Sequence, residues 1–279
     1  FSFNTKQITN KDKNIDMRPL ELLAPAKNLE TGIAAIEHGA DAIYIGAEQL
    51  GARSAAGNSV EDIAQLFQYA KQFCVKVYVT LNVIVYEHEI DYCQKLITQL
   101  YEAGVDALIV QDMGVLKMDI PPIELHASTQ TDNRTADKVS WLKSLGFARV
   151  VLARELSLDA IKAIHKQEPD VELEVFVHGA LCVSYSGVCY VSQHSFGRSA
   201  NRGECAQFCR MSFDLVDSDD REIEHQRHLL SLKDMCRINE LEQLAEAGAT
   251  SFKIEGRLKD VSYVKNVVSA YRKKLDKFI

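Results

Sequence analysis

From residue 20 onward, short runs of β-branched and other apolar residues alternate with longer stretches whose apolar positions recur every three or four residues and which often close on glycine. The first kind reads as a buried parallel strand, the second as an amphipathic helix that packs one stripe against a sheet. Strands are predicted over residues 20–24, 42–45, 76–83, 107–111, 124–128, 149–153, 172–177 and 251–255. Helices are predicted over 29–38, 60–73, 89–103, 137–145, 158–165, 240–247 and 262–274, and Gly39, Gly104, Gly146 and Gly248 supply stop signals for four of them.

About eight strand-helix units predict an α/β protein of the (β/α)8 TIM-barrel type. A doubly wound open sheet is the alternative, and the lack of a GxGxxG turn after the first strand counts against its dinucleotide-binding form. Residues 178–236 break the repeat, with no helical period and many Cys, Ser, Gly and Arg residues. Within them a β-hairpin is predicted from 212–216 and 228–232, flanking the turn DSDD. This long Cys-rich insertion follows strand 7, which would put it on the carboxyl-end face where such barrels build their active sites. Residues 1–16 read as a polar leader and residues 17–279 as one barrel domain.

The chain has 279 residues, 47% hydrophobic and 25% charged, as an ordinary globular protein does. With 39 acidic against 32 basic residues its formal charge is −7, so bulk charge argues against a general polyanion binder. No run approaches the roughly 18 apolar residues that span a bilayer, and the first residues lack a signal-peptide pattern. A cytoplasmic protein with no membrane partner is therefore expected. The seven cysteines are odd in number and five fall between Cys182 and Cys236, which suits a metal or cluster site better than a disulfide framework.

In a barrel, the polar residues at the carboxyl ends of strands converge on one pocket. Strand alternation puts His126, Ser128 and Gln130 on one face, and Lys253, Glu255 and Arg257 on the face opposite Phe252 and Ile254. His126, His178, Lys253 and Glu255 are thus candidate acid-base groups, with structural histidines and a Lys253–Glu255 salt bridge as the plainer readings. Asn82, Gln130, Arg154 and Arg257 are candidate substrate-binding residues, the arginines because guanidinium grips carboxylate or phosphate with two prongs.

The cysteines of the insertion run Cys182, Cys189, Cys205, Cys209, a C-x6-C-x15-C-x3-C spacing, and Cys236 follows in SLKDMC. Thiolates bind iron or zinc, and this spacing matches neither a zinc ribbon nor a ferredoxin run. Gly187, Gly197 and Gly203 would let backbone N–H groups approach the sulfurs. Cys74 and Cys93 lie in helix patterns and read as core residues. Arg198, Arg202 and Arg210 against Glu204 form a small basic patch beside the proposed centre, with Arg198 and Arg202 added to the candidate substrate-binding set.

The run EVFVHGALCVSYSGVCYVS resembles the signature of the U32 peptidase family, the collagenase-like proteases, at Glu174, Phe176, Gly179, Ala180, Leu181, Cys182, Gly187, Cys189, Val191 and Ser192. ELLAPAKN, DAIYIGAEQLGAR, ELHASTQ, GRSANRGECAQFCR, SLKDMC and FKIEGRLK are similar to the same family, so the likeness covers the chain from Met17 onward. It implies a barrel-type catalytic domain, and family members that extend further imply an additional C-terminal domain beyond this chain. Some relatives are peptidases. Others are oxygen-independent hydroxylation proteins that act on tRNA or ribosomal RNA with prephenate, or in ubiquinone synthesis.

By position, the ubiquinone branch implies a [4Fe–4S] cluster on Cys182, Cys189, Cys205 and Cys236, with Cys209 as the competing fourth ligand. Oxygen-independent, prephenate-dependent hydroxylation of an RNA base is accordingly the expected activity, with RNA and a small anionic co-substrate as partners. A homo- or heterodimer is a further expectation. Peptide-bond hydrolysis is the alternative: the sequence has no HExxH and no GxSxG, so it would need a Cys-His pair such as His178 with Cys182 or His194 with Cys189. A zinc-stabilised, non-catalytic scaffold is the third reading.

Overall fold

The computed structural model describes residues 19–51 and 57–279. The leader predicted for residues 1–16 lies outside the described residues. Eight parallel strands form the centre: β1 (Glu21–Ala26), β2 (Ala42–Ala47), β3 (Lys76–Leu81), β4 (Ala107–Val110), β5 (Glu124–Ala127), β6 (Arg149–Val151), β7 (Glu172–Gly179) and β8 (Ala249–Ile254). They neighbour one another in the order β1-β8-β7-β6-β5-β4-β3-β2, and pairing of β1 with β2 closes the cylinder. All eight predicted strands are present, and the barrel fold is as expected from the alternation.

Helices α1 (Leu29–Glu37), α2 (Val60–Lys71), α3 (Ile90–Glu102), α4 (Ala136–Ser144) and α5 (Leu158–Gln167) belong to the outer ring. Asn28, Ser59, Thr135 and Ser157 start α1, α2, α4 and α5, each side chain accepting a hydrogen bond from a backbone N–H of the first turn. Between β4 and β5 the chain makes only a 3-10 turn, Met113–Lys117, where no helix is predicted either. A short helix α6 (Val191–Phe196) lies in the insertion, and α7 (Leu241–Glu246) and α8 (Val261–Leu275) complete the ring. Among the described residues no helix is long and apolar enough to cross a membrane.

Strand alternation divides the buried residues into two clusters. The larger lies between strands and helices and includes Ile43, Val79, Leu108, Phe252 and Ile254; the smaller fills the barrel interior and includes Leu23, Tyr44, Tyr78, Ile109 and Phe176. At roughly 1.5–3 kcal/mol for each fully buried large side chain, the outer cluster dominates the stability.

Three expectations need correction. The insertion is not without helix, since α6 forms there with Gly197 in a left-handed conformation as its stop. The hairpin pairs Phe213–Val216 with Glu222–Arg227 rather than with residues 228–232. The polar strand EIEHQR closes directly after the turn, where Asp217 Oδ1 accepts from the N–H groups of Asp219 and Arg221, so turn geometry decides the register over hydrophobicity. Finally, Cys93 is buried but Cys74 is exposed, at a left-handed residue just past α2.

Candidate active site

A cavity of about 1030 Å³ opens at the carboxyl ends of the strands. Its floor comes from the barrel and includes Asn82, Ser128, Arg154, Lys253, Glu255 and Arg257, while the insertion supplies the upper wall with Cys182, Cys189, Cys205 and Cys209. The alternation read along SFKIEGR holds here: Phe252 and Ile254 enter the helix-side core, and Lys253, Glu255 and Arg257 face the cavity.

The floor is built of buried ion pairs and aromatic rings. Lys253 Nζ lies 2.6 Å from Glu174 Oε1 and 4.3 Å from the centre of the Tyr44 ring. Burial pushes the Lys253 ammonium down, and the Glu174 carboxylate opposes that fall. Arg154 donates to Glu255 Oε2 at 2.6 Å and sits over Phe176, with its Cζ 4.0 Å from the ring centroid. Its other terminal nitrogen, Nη1, reaches 4.0 Å from Cys182 Sγ, linking the charged floor to the sulfur wall. Arg257 donates to Thr80 Oγ1 at 2.6 Å, and Asn82 to Ser128 Oγ at 3.2 Å.

The loop that carries the first two cysteines is pinned to the barrel. Glu155, just past β6, accepts from both the backbone N–H and the hydroxyl of Ser186, at 3.1 and 3.0 Å. Gly187 has φ +82° and lies so close to the Gln130 carbonyl that a Cβ there would stand 2.2 Å from its oxygen. Glycine is therefore required on both conformational and steric grounds. Further along, Arg198 donates to the carbonyls of Glu204 and Cys205 and fixes the turn before Cys205.

The four cavity thiols have the donor chemistry of a thiolate-ligated centre. Cys205 Sγ accepts from the Gln207 N–H at 3.4 Å. Burial pushes the Cys209 thiol up, the nearby Arg210 opposes that rise, and the neighbouring Cys182 and Cys205 add to it. Among the described residues, the one set of three metal-capable groups with ligand atoms within 4.8 Å of one another is Asp214, Glu222 and His225, exposed on the hairpin and without a cysteine. The cysteines thus fit an iron–sulfur cluster in kind and in common exposure to one cavity, while their sulfurs are not drawn into so tight a group.

Several candidate residues fall elsewhere. His126 is wholly buried one rung below the mouth, its Nε2 2.7 Å from Glu124 Oε1 and its ring edge-on to Tyr78. It shares the face of Ser128 as expected, but two residues along a strand put it about 6.6 Å deeper. His178 is turned outward onto α8, with Nδ1 3.3 Å from the Tyr271 hydroxyl, because β7 and β8 shift register between Lys253 and Ile254. Burial holds its imidazole below the ordinary value. Arg202 does not line the cavity; it clamps Glu89 with both terminal nitrogens and covers Tyr86. Cys236 also lies outside the lining, paired opposite His178 across an added antiparallel strand, Met235–Cys236. Neither His178 nor His194 hydrogen-bonds a cysteine. Conversely, Glu174, Tyr44 and Phe176 shape the floor without being among the candidate site residues; Glu174 and Phe176 enter the sequence reading only as signature positions, although the inward register of all three follows from the same alternation.

The model of peptidase family U32 matches residues 27–279. The chain is 55% identical over 260 residues to 23S rRNA 5-hydroxycytidine C2501 synthase of Escherichia coli, an alignment covering 93% of this chain and 40% of that protein. It is 39% identical to tRNA hydroxylation protein P1 of Bacillus subtilis, covering 97% of this chain and 66% of the relative, and 34% identical to a collagenase of Porphyromonas gingivalis over 95% of this chain and 67% of the relative. The chain thus spans less than two thirds of the first two relatives. Among solved structures, that of the U32 peptidase Mk0906 superposes with a TM-score of 0.56 at 12% identity, covering 92% of this chain and 98% of that one, a likeness of fold.

Proposed function

The chain belongs to peptidase family U32, and from that premise we propose that it is the barrel portion of an enzyme that hydroxylates a base in RNA without molecular oxygen. The observation that carries the proposal is the meeting of four cysteine sulfurs with the cationic floor of one cavity. The identity to an rRNA hydroxycytidine synthase and to a tRNA hydroxylation protein supports RNA as the acceptor.

In this reading Cys182, Cys189 and Cys205 hold a [4Fe–4S] cluster, with Cys209 or Cys236 as fourth ligand. When bound, such a cluster supplies one-electron chemistry or a site for an oxygen-bearing substrate. The chain's own residues do the rest. Arg257 and Arg154 offer planar donors to the carboxylates of a small anionic co-substrate, for which prephenate is the candidate. Lys253, screened from water and poised between Glu174 and the Tyr44 ring, can hold or yield a proton at Nζ. The insertion shields the floor from solvent. In this reading a thiolate-ligated cluster and an RNA substrate both support a cytoplasmic location.

Peptidase activity is the second reading, supported by the collagenase relative, but the Cys-His pairs it would use are not formed. Two measurements test the first reading on the full-length protein. Anaerobic purification should give a brown protein with about four iron and four sulfide per chain, whereas a colourless protein with about one zinc would support the scaffold reading. Nucleoside mass spectrometry of RNA from cells lacking the gene should show loss of one hydroxylated nucleoside, restored by the intact gene; unchanged RNA together with gelatin hydrolysis would favour the peptidase.

A further inference from the structure

Tyr185 stands out on the rim of the cavity. It is 58% exposed, yet it is one of the residues that line the opening. One face of its ring rests on the guanidinium of Arg134, whose Cζ lies 4.0 Å from the ring centroid. Arg134 is itself locked by two hydrogen bonds to Asp132, from Nε and from Nη2. The backbone on either side is equally fixed: Ser184 Oγ and the Val188 N–H both donate to the Tyr185 carbonyl, at 3.1 and 3.3 Å, and Ser186 is gripped by Glu155. The result is a planar cation against a ring that remains more than half exposed where it lines the cavity.

We infer that Tyr185 is a stacking platform for an unpaired RNA base entering the cavity. Every base offers a π-face, and aromatic rings backed by arginine are the usual way to hold one without reading its sequence. Because Arg134, Asp132 and the pinned loop already fix the ring, little rotamer freedom remains to be lost on binding. The inference rests on the RNA-hydroxylation reading and adds to it the residue that receives the acceptor base. The molecule contains its own comparison: Trp141 on α4 is 43% exposed and carries Lys138 Nζ 4.3 Å from its ring, a similar cation-ring pair that does not line the cavity.

The test is fluorescence titration of the full-length protein with a short fluorescein-labelled single-stranded RNA and with the same RNA annealed to its complement. Y185A should weaken single-strand binding about 5- to 150-fold, in line with about 1–3 kcal/mol per stacked base. Y185L, which keeps an apolar side chain without a π-face, should weaken it similarly, while Y185F stays within about twofold and W141A matches the parent. Unchanged binding in Y185A and Y185L, or equal loss in W141A, overturns the platform and leaves the RNA reading standing. A parent protein that binds neither RNA overturns both.

Discussion

Lys253 and Glu174 form an ion pair of 2.6 Å at the floor of the cavity, and both side chains are shut away from solvent. Glu174 also faces Arg149 Nη1 at 3.4 Å, so the pair is the top of a charged column that descends through the barrel to Glu21 and Glu172. Removing one partner strands the other in a dry site. E174Q is expected to cost about 3–5 kcal/mol in urea denaturation, and the double variant E174Q/K253M to recover part of that loss. K253M alone completes the cycle, and a double-variant loss equal to the sum of the two single losses would show that the pair is not coupled.

C182A and C189A should each abolish the iron content and colour of the anaerobically purified protein, and C74A should leave both intact, since Cys74 is exposed beyond α2 and away from the cavity. The fourth position is decided by comparing C209A with C236A by iron analysis and electron paramagnetic resonance. The variant that retains a cluster identifies the residue that is not a ligand.

G187A combines a Cβ 2.2 Å from the Gln130 carbonyl oxygen with a left-handed φ. The backbone conformation alone is worth roughly 1–3 kcal/mol. A drop in Tm of several degrees is expected, together with weaker cluster retention, because the loop between Cys182 and Cys189 must shift. Iron content equal to the parent's at equal folding would mean the loop does not position the ligands.

Acid sensitivity should trace in part to Glu21. Burial would raise its carboxyl, but the Arg149 guanidinium, with hydrogen bonds from Arg149, Tyr78 and Ser251, more than offsets this and holds it below the ordinary value. A carboxylate depressed on folding contributes stability that is fully present above its unfolded value of about 4.3 and is lost as pH falls through its lower folded value. The parent's stability is therefore expected to fall more steeply between pH 5 and pH 3 than that of E21Q, which starts lower at pH 7. Parallel urea-midpoint profiles for the two proteins would rule this out.

The barrel was readable from the chain because buried parallel strands and one-sided helices carry distinct periods, and terminal glycines such as Gly39 and Gly104 mark where helices stop. Alternation also placed Lys253, Glu255 and Arg257 correctly, since it depends only on local strand geometry. What it lacks is height along the barrel axis, which is why His126 shares a face with Ser128 yet lies below the cavity. His178 escaped for another reason: the shift between β7 and β8 turns its side chain outward, and such a shift leaves no period in the sequence. Arg202 and Tyr86 meet through contacts more than a hundred residues apart, beyond any spacing rule. The hairpin strand EIEHQR carries a single apolar residue, Ile223, and all six of its residues are exposed, so hydrophobic patterning could not find it.

The chain leaves the barrel at Gly179 and comes back at Met235, and these two residues are directly paired. Entry and exit of the whole insertion are therefore fastened side by side on two adjacent antiparallel strands. A loop tied at its neck can grow or shrink at an entropic cost that rises only with the logarithm of its length, without disturbing the eight strands below. The barrel can thus serve as a fixed socket for the insertion, whose outer part can change in length above the cationic floor while the contacts of Ser186 and Gly187 hold its base in place.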